Sequence, residues 1–170
     1  MSLVVEDGTG KADAESYATI DTVSDYAVKF GKTFATSPAA PAEAACRVAT
    51  RWLDATYRAR FPGCVTNTDQ ALEWPREGVC YRGAELPSDA IPQQIIDAFC
   101  EAAIRELATP GTLAPDIEAG ASISEIAAGS VDIKYGGPVR LNATFQQIDG
   151  ILAGLLGSAP SPYSAKAARA

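Results

Sequence analysis

Apolar residues recur along this chain at helical spacing in four blocks, and they alternate in a fifth. Ile20, Val23, Ala27 and Phe30 mark the first block. Thr19 stands where an N-cap belongs, Asp21 lies in the first turn and Gly31 follows the last, so the pattern predicts a helix over about 19–30. The second block starts near Pro41, a residue suited to a first helical turn, and ends at Pro62-Gly63. Its apolar stripe is Ala45, Val48, Ala49, Trp52 and Leu53. Arg47, Arg51 and Arg58 lie on the other side, with Asp54 four residues before Arg58, the spacing of a helical ion pair. The third block, about 92–108, carries Ile95, Ile96, Phe99, Ala103 and Leu107, and Pro110-Gly111 stops it. The fourth, about 144–156, starts at Thr144, aligns Phe145, Ile148, Leu152 and Leu155, and reaches Gly157 as its expected C-cap.

Between the third and fourth blocks the period changes. Residues 122–135 read as a β-hairpin, with Ala127 to Ser130 at the turn and Val131, Ile133 and Tyr135 on one face of the second strand. An isolated two-stranded hairpin is marginal in water, so this one should rest on the helices or meet a second subunit. The predicted fold is therefore mainly α: about four helices, one hairpin and an extended C-terminal tail. Residues 1–157 form the folded unit and 158–170 the tail. That tail contains Tyr163, Lys166 and Arg169 and no acid; fully extended it could reach on the order of 40 Å, and it is either disordered or ordered by a partner.

Composition narrows the chemistry. The chain has 170 residues, 47% of them hydrophobic, enough for one cored domain. Its net charge is −7, which disfavours broad contact with a phosphate backbone. There is no histidine, so the commonest general base, the Ser-His and Cys-His pairs and the commonest zinc ligand are missing. Cys46, Cys64, Cys80 and Cys100 are spaced by 18, 16 and 20 residues, which supports no zinc cluster or redox pair; they read as free buried thiols. Neither a signal peptide nor an apolar run of about 20 residues is present, so the expectation is a soluble cytoplasmic chain. Residues 6–25 carry six acids against Lys11, which predicts a solvated N-terminal end with Leu3–Val5 as a short β segment.

Several constellations invite a chemical reading. Gly8-Thr9-Gly10-Lys11 looks like part of a phosphate loop but lacks the full glycine-lysine pattern. Asp97 and Glu101 are one helical turn apart, which on an open helix face means solvation, since burial is what tunes such pairs. The stretch QALEWPREGVCYRGAELPSDAIPQQ, residues 70–94, is the richest. Trp74 could stack a base with Arg76 and Arg82 on phosphates. Cys80 could be a reactive thiol with arginines nearby. Packing is the stronger reading: Trp74 and Pro75 as a strut between two helices, with Glu73 or Arg76 ion-paired, Glu73 to Arg76 or to an arginine of the second helix, and the indole N–H held by one partner.

Certain runs carry a family resemblance. They are Ala12 to Ala18 (ADAESYA), Ala49 to Gly63 (ATRWLDATYRARFPG), Gln70 to Arg76 (QALEWPR) and Leu86 to Pro92 (LPSDAIP). Over residues 3–156 the chain resembles tailed-phage and prophage proteins labelled DnaT-like single-stranded-DNA-binding proteins, a group similar to head–tail connector adaptors. That resemblance implies a structural virion protein at the head–tail interface, assembled in the bacterial cytoplasm, with no catalytic residue, cofactor or membrane. Its implied partners are further copies in a ring, twelve-fold in such adaptors, the portal, and a tail-side connector or stopper protein, with packaged double-stranded DNA passing through. Val131, Ile133, Tyr135 and Tyr163 are the expected contacts with neighbours. A single-stranded-DNA-binding replication accessory is the alternative.

Overall fold

The structure, a computed structural model, describes residues 3–114, the strand backbones 125–128 and 131–134, and residues 145–157. Four helices build it: α1 (Ile20–Lys29), α2 (Ala39–Tyr57), α3 (Gln93–Ala108) and α4 (Gln146–Leu152), with a single 3-10 turn at Arg58–Arg60 after α2. The fold is mainly α, as the periodicity predicts. Among the described residues no helix is long and apolar enough to cross a membrane.

The centre of the body is α3. Every residue from Ala98 to Ile104 is buried, and α1, α2 and α4 all pack against this helix. A helix covered on all sides needs apolar residues around its whole circumference, and the small side chains of Ala98, Ala102 and Ala103 let neighbours approach. The most extensive pairing is with α2, which offers Ala42, Ala45, Cys46, Ala49 and Leu53, all buried. Thr19 caps α1 by accepting a hydrogen bond from Thr22 N, and Gly31 follows with φ +65°.

Several boundaries move. Helix α2 begins at Ala39 rather than Pro41, with Pro38 as its N-cap. Helix α4 is only seven residues long and has Phe145 at its N-cap. Gly157 is not its C-cap; its N–H donates to Arg60 O at 2.8 Å, fastening the chain after α4 to the end of α2. Val48, on the predicted stripe of α2, is exposed. Trp52, expected in the core, is only half-buried; it packs edge-on against Tyr57 and Phe145.

Strands are short. β1 (Cys64–Val65) pairs antiparallel with β2 (Arg76–Glu77), and β3 (Cys80–Tyr81) with β4 (Ala84–Glu85). The β3–β4 turn is Arg82-Gly83, both at positive φ (51° and 83°), as a two-residue hairpin turn of the I′ type requires. The expected hairpin is β5 (Glu125–Ala128) against β6 (Val131–Lys134), in register Glu125↔Lys134 to Ala128↔Val131. Its connection is thus two residues shorter than predicted. Among the described residues, β5 and β6 pair with no other strand.

The N-terminal segment is not the solvated end that its acids predict. Val5 bridges Ser16, and Glu6, Ala14, Ser16 and Tyr17 are buried. The Glu6 carboxylate accepts hydrogen bonds from the backbone N–H groups of Gly8, Gly10 and Lys11, at 2.9, 2.9 and 2.8 Å. Gly8 sits at φ +99°, and a Cβ there would fall 2.0 Å from Asp89 O, so only glycine fits.

Candidate functional site

The Gln70–Gln94 stretch is anchored from within. Trp74 is 1% exposed and its ring meets Phe61 edge-on, with centroids 5.6 Å apart. Its indole N–H has no acceptor among the described residues, against the single partner expected. Pro75 is buried beside it. The Arg76 guanidinium is buried and donates from all three nitrogens: Nε to Pro62 O, Nη2 to Gly63 O, and Nη1 to both Glu73 O and Glu73 Oε2. Glu73 also meets Arg58 through Oε1 at 3.0 Å. Three of these five links, to Arg58, Pro62 and Gly63, tie the chain just after α2 to the Trp74 segment, and the other two lie within that segment. A ring so enclosed presents no face to a base. Arg82 remains exposed at the β3–β4 turn, over the Tyr81 ring at 5.2 Å.

Alongside this segment lies a cleft of about 430 Å³ on the outer face of α2. Arg47 and Arg51 reach it from the helix and Arg58 from the 3-10 turn that follows, and Ala71 and Leu72 form the opposite wall. Arg47 Nε holds Glu15 at 3.0 Å and its Nη2 reaches Glu43 at 3.4 Å. Arg51 is exposed and makes no ion pair among the described residues. Thr50, 1% exposed, lines the cleft with a hydroxyl that finds no partner among the described residues.

Asp54, also lining the cleft, is buried rather than paired with Arg58. Its Oδ1 accepts from Tyr17 O–H and its Oδ2 from Glu73 N at 3.2 Å. Burial pushes its carboxyl up to about 6, against the lowering by those two hydrogen bonds. Arg58 meets the half-buried Glu73 instead.

A second buried acid sits on the far side of the core. Glu101, assigned by its spacing to a solvated face, is fully buried. Lys32, from the loop after α1, donates to both its oxygens; Tyr26 O–H and Gln147 Nε2 donate to Oε1 at 3.0 and 2.9 Å. Three of the four helices therefore converge on one carboxylate. Asp97 stays at the surface with Gln93. No sequence pattern announces this site, since the cation that pairs with Glu101 lies 69 residues away in a loop.

The thiols divide evenly. Cys46 and Cys100 are buried, and burial raises both to about 12, which makes them inert. Cys64 and Cys80 are exposed, contrary to the expectation of four buried thiols. Val131 and Ile133 lie on β6, in register with Ala128 and Ile126; Tyr135 and Tyr163 lie outside the described residues.

Fold and site together define a small helical protein whose polar groups tie its elements together and line one arginine-bearing cleft. A family model described as "Putative DnaT-like ssDNA binding protein" matches residues 1–170, and the chain belongs to that family. No curated protein and no solved structure matches it.

Proposed function

We propose that the protein is a head–tail connector adaptor of a tailed phage, a ring-forming subunit that joins the portal to the tail-side connector and continues the DNA channel. The observation that carries this reading is the β5–β6 hairpin. It is inserted between α3 and α4, and both its edges lack a partner strand among the described residues. Unpaired edges are templates for strand addition, and a pair of strands this short gains its stability from a neighbour. A net charge of −7 accords with the same role: a wall with little phosphate-neutralising charge lets DNA slide rather than stick. The protein would reside at the head–tail interface of the virion, after assembly in the bacterial cytoplasm, and would need no cofactor.

Negative-stain images of the purified chain with and without portal rings test this. Added density in a closed ring on the portal is the expected result; a chain that never joins portal rings and is missing from virions refutes it.

The family's description favours a second reading, single-stranded DNA binding. Trp74 is too enclosed to carry it, so Arg82 and the arginines of the α2 cleft would have to. Filter binding across a salt series separates the two readings. Affinity near about 1 µM that falls steeply with salt supports DNA binding, whereas weak, flat binding supports the adaptor.

A further inference from the structure

The α2 cleft and the outer face of α1 are complementary in charge and in texture. In the cleft, Arg51 is an exposed cation with no ion pair among the described residues, set between Arg47 and Arg58. The Thr50 hydroxyl, buried and without a partner among the described residues, lies in the same wall. Between these polar groups the lining is small and apolar, with Ala14, Ala55 and Leu72. Glu15 and Asp54 also line the cleft, and Arg47 and Arg58 are ion-paired, so what it offers a partner is the Arg51 cation beside an apolar floor.

On α1, Asp21, Asp25 and Val28 recur at i, i+4 and i+7 and so share one face. All three are exposed; Val28 is 75% exposed and Phe30, just beyond the helix, 53%. Neither aspartate forms an ion pair among the described residues. Lys29 turns aside over the Phe30 ring at 5.6 Å. This face offers two free carboxylates next to an apolar knob.

We infer that the α1 face of one copy docks into the α2 cleft of the next, with Asp21 and Asp25 meeting Arg51 and its flanking arginines and Val28 covering the alanine floor. The two surfaces are different patches of one chain, so the contact is head-to-tail. Contacts of that kind close into rings when the rotation per subunit allows. This inference rests on the ring-forming reading above and supplies its inter-subunit contact. Charge complementarity sets register and partner choice, and opposed like charges are strongly disfavoured.

Sedimentation velocity of the full chain at low ionic strength, up to its highest soluble concentration, tests the contact. Wild type should self-associate, and more weakly as salt rises. Arg51→Glu and Asp25→Arg, both at exposed positions, should each raise the dissociation constant by about tenfold or more. The double variant should recover association, because the pair is restored with its signs exchanged. A 1:1 mixture of Arg51→Ala and Asp25→Ala should stop at dimers, since only one of its two contacts per pair is intact.

A chain that stays monomeric throughout overturns the inference, as does an Arg51→Glu variant that associates like wild type or a double variant that fails to recover. The ring reading fails separately. Closed rings on portal that persist in Arg51→Glu would sink the contact and leave the adaptor standing; absence of wild-type density on portal would sink the adaptor itself.

Discussion

Two of the carboxylates buried among the described residues, Glu101 and Asp54, are held in different ways. Glu101 lies where α1, α3 and α4 converge and is neutralised by a cation, Lys32. Asp54 lies on the flank of α2 under the arginine cleft, and its two hydrogen bonds come from neutral donors, Tyr17 O–H and Glu73 N–H. Burial without a direct cation raises the Asp54 carboxyl to about 6. The contrast lies in the donors: Glu101 has a cation on its oxygens, whereas Asp54 has neutral donors that do not offset its burial. It also separates two modes of stability, one that depends on an ion pair and one that depends on the packing of Trp74 and its neighbours.

The largest expected loss comes from the packed side. Trp74→Ala should cost about 3–5 kcal/mol in urea unfolding, the range for truncating a large buried aromatic, and should loosen the Glu73 amide that Asp54 uses. A cost below about 1 kcal/mol would show that the Asp54 region does not rest on this ring. Next comes Lys32→Met, which leaves Glu101 buried without its cation. A loss of about 3 kcal/mol is expected, reduced from the fully buried case because Lys32 is partly exposed. If Lys32→Met is neutral, Tyr26 and Gln147 suffice, and the contrast with Asp54 collapses.

The third effect is a pH dependence. The Asp54 carboxyl titrates higher in the fold than its ordinary value of 3.8, so the folded state holds a proton that the unfolded state releases first. Its stabilising contribution is complete below about pH 4 and is lost as pH rises through about 6. Relative to Asp54→Asn, wild type should therefore lose about 2–3 kcal/mol between pH 4 and pH 7. A difference that is flat with pH would mean that the carboxyl titrates normally. Smallest is Tyr17→Phe, which removes one donor to Asp54 and should cost about 1 kcal/mol by thermal unfolding.

What was legible in the sequence follows from how far each interaction reaches along the chain. Ile95, Phe99 and Ala103 announce α3, and Thr19 announces the start of α1, because their causes lie within a turn or two. Strands of two residues carry no readable alternation, so β1 to β4 were invisible and the region around Trp74 read as irregular. Spacing also misjudged depth. Trp52 on a clean stripe is half-buried, while Trp74 in an irregular segment is 1% exposed, since depth depends on which elements close over a residue. Glu101 was misplaced for the same reason: its partners Tyr26, Lys32 and Gln147 come from three separate segments. The cleft was half legible. Arg47, Arg51 and Arg58 are marked by helical spacing, but the wall of Ala71 and Leu72 that makes a cleft of that face is a tertiary fact.

The Glu6 loop has a consequence for recognition. Gly8, Gly10 and Lys11 aim three backbone N–H groups at one point, which is the arrangement of an oxyanion receptor. Here the receptor carries its own anion. A tethered carboxylate two to five residues away competes at an effective concentration of about millimolar or more, so a free phosphate meets a site that is already saturated. The glycine-lysine signature thus marks a self-liganded turn, one that spends its anion affinity on closing residues 6–11 upon themselves.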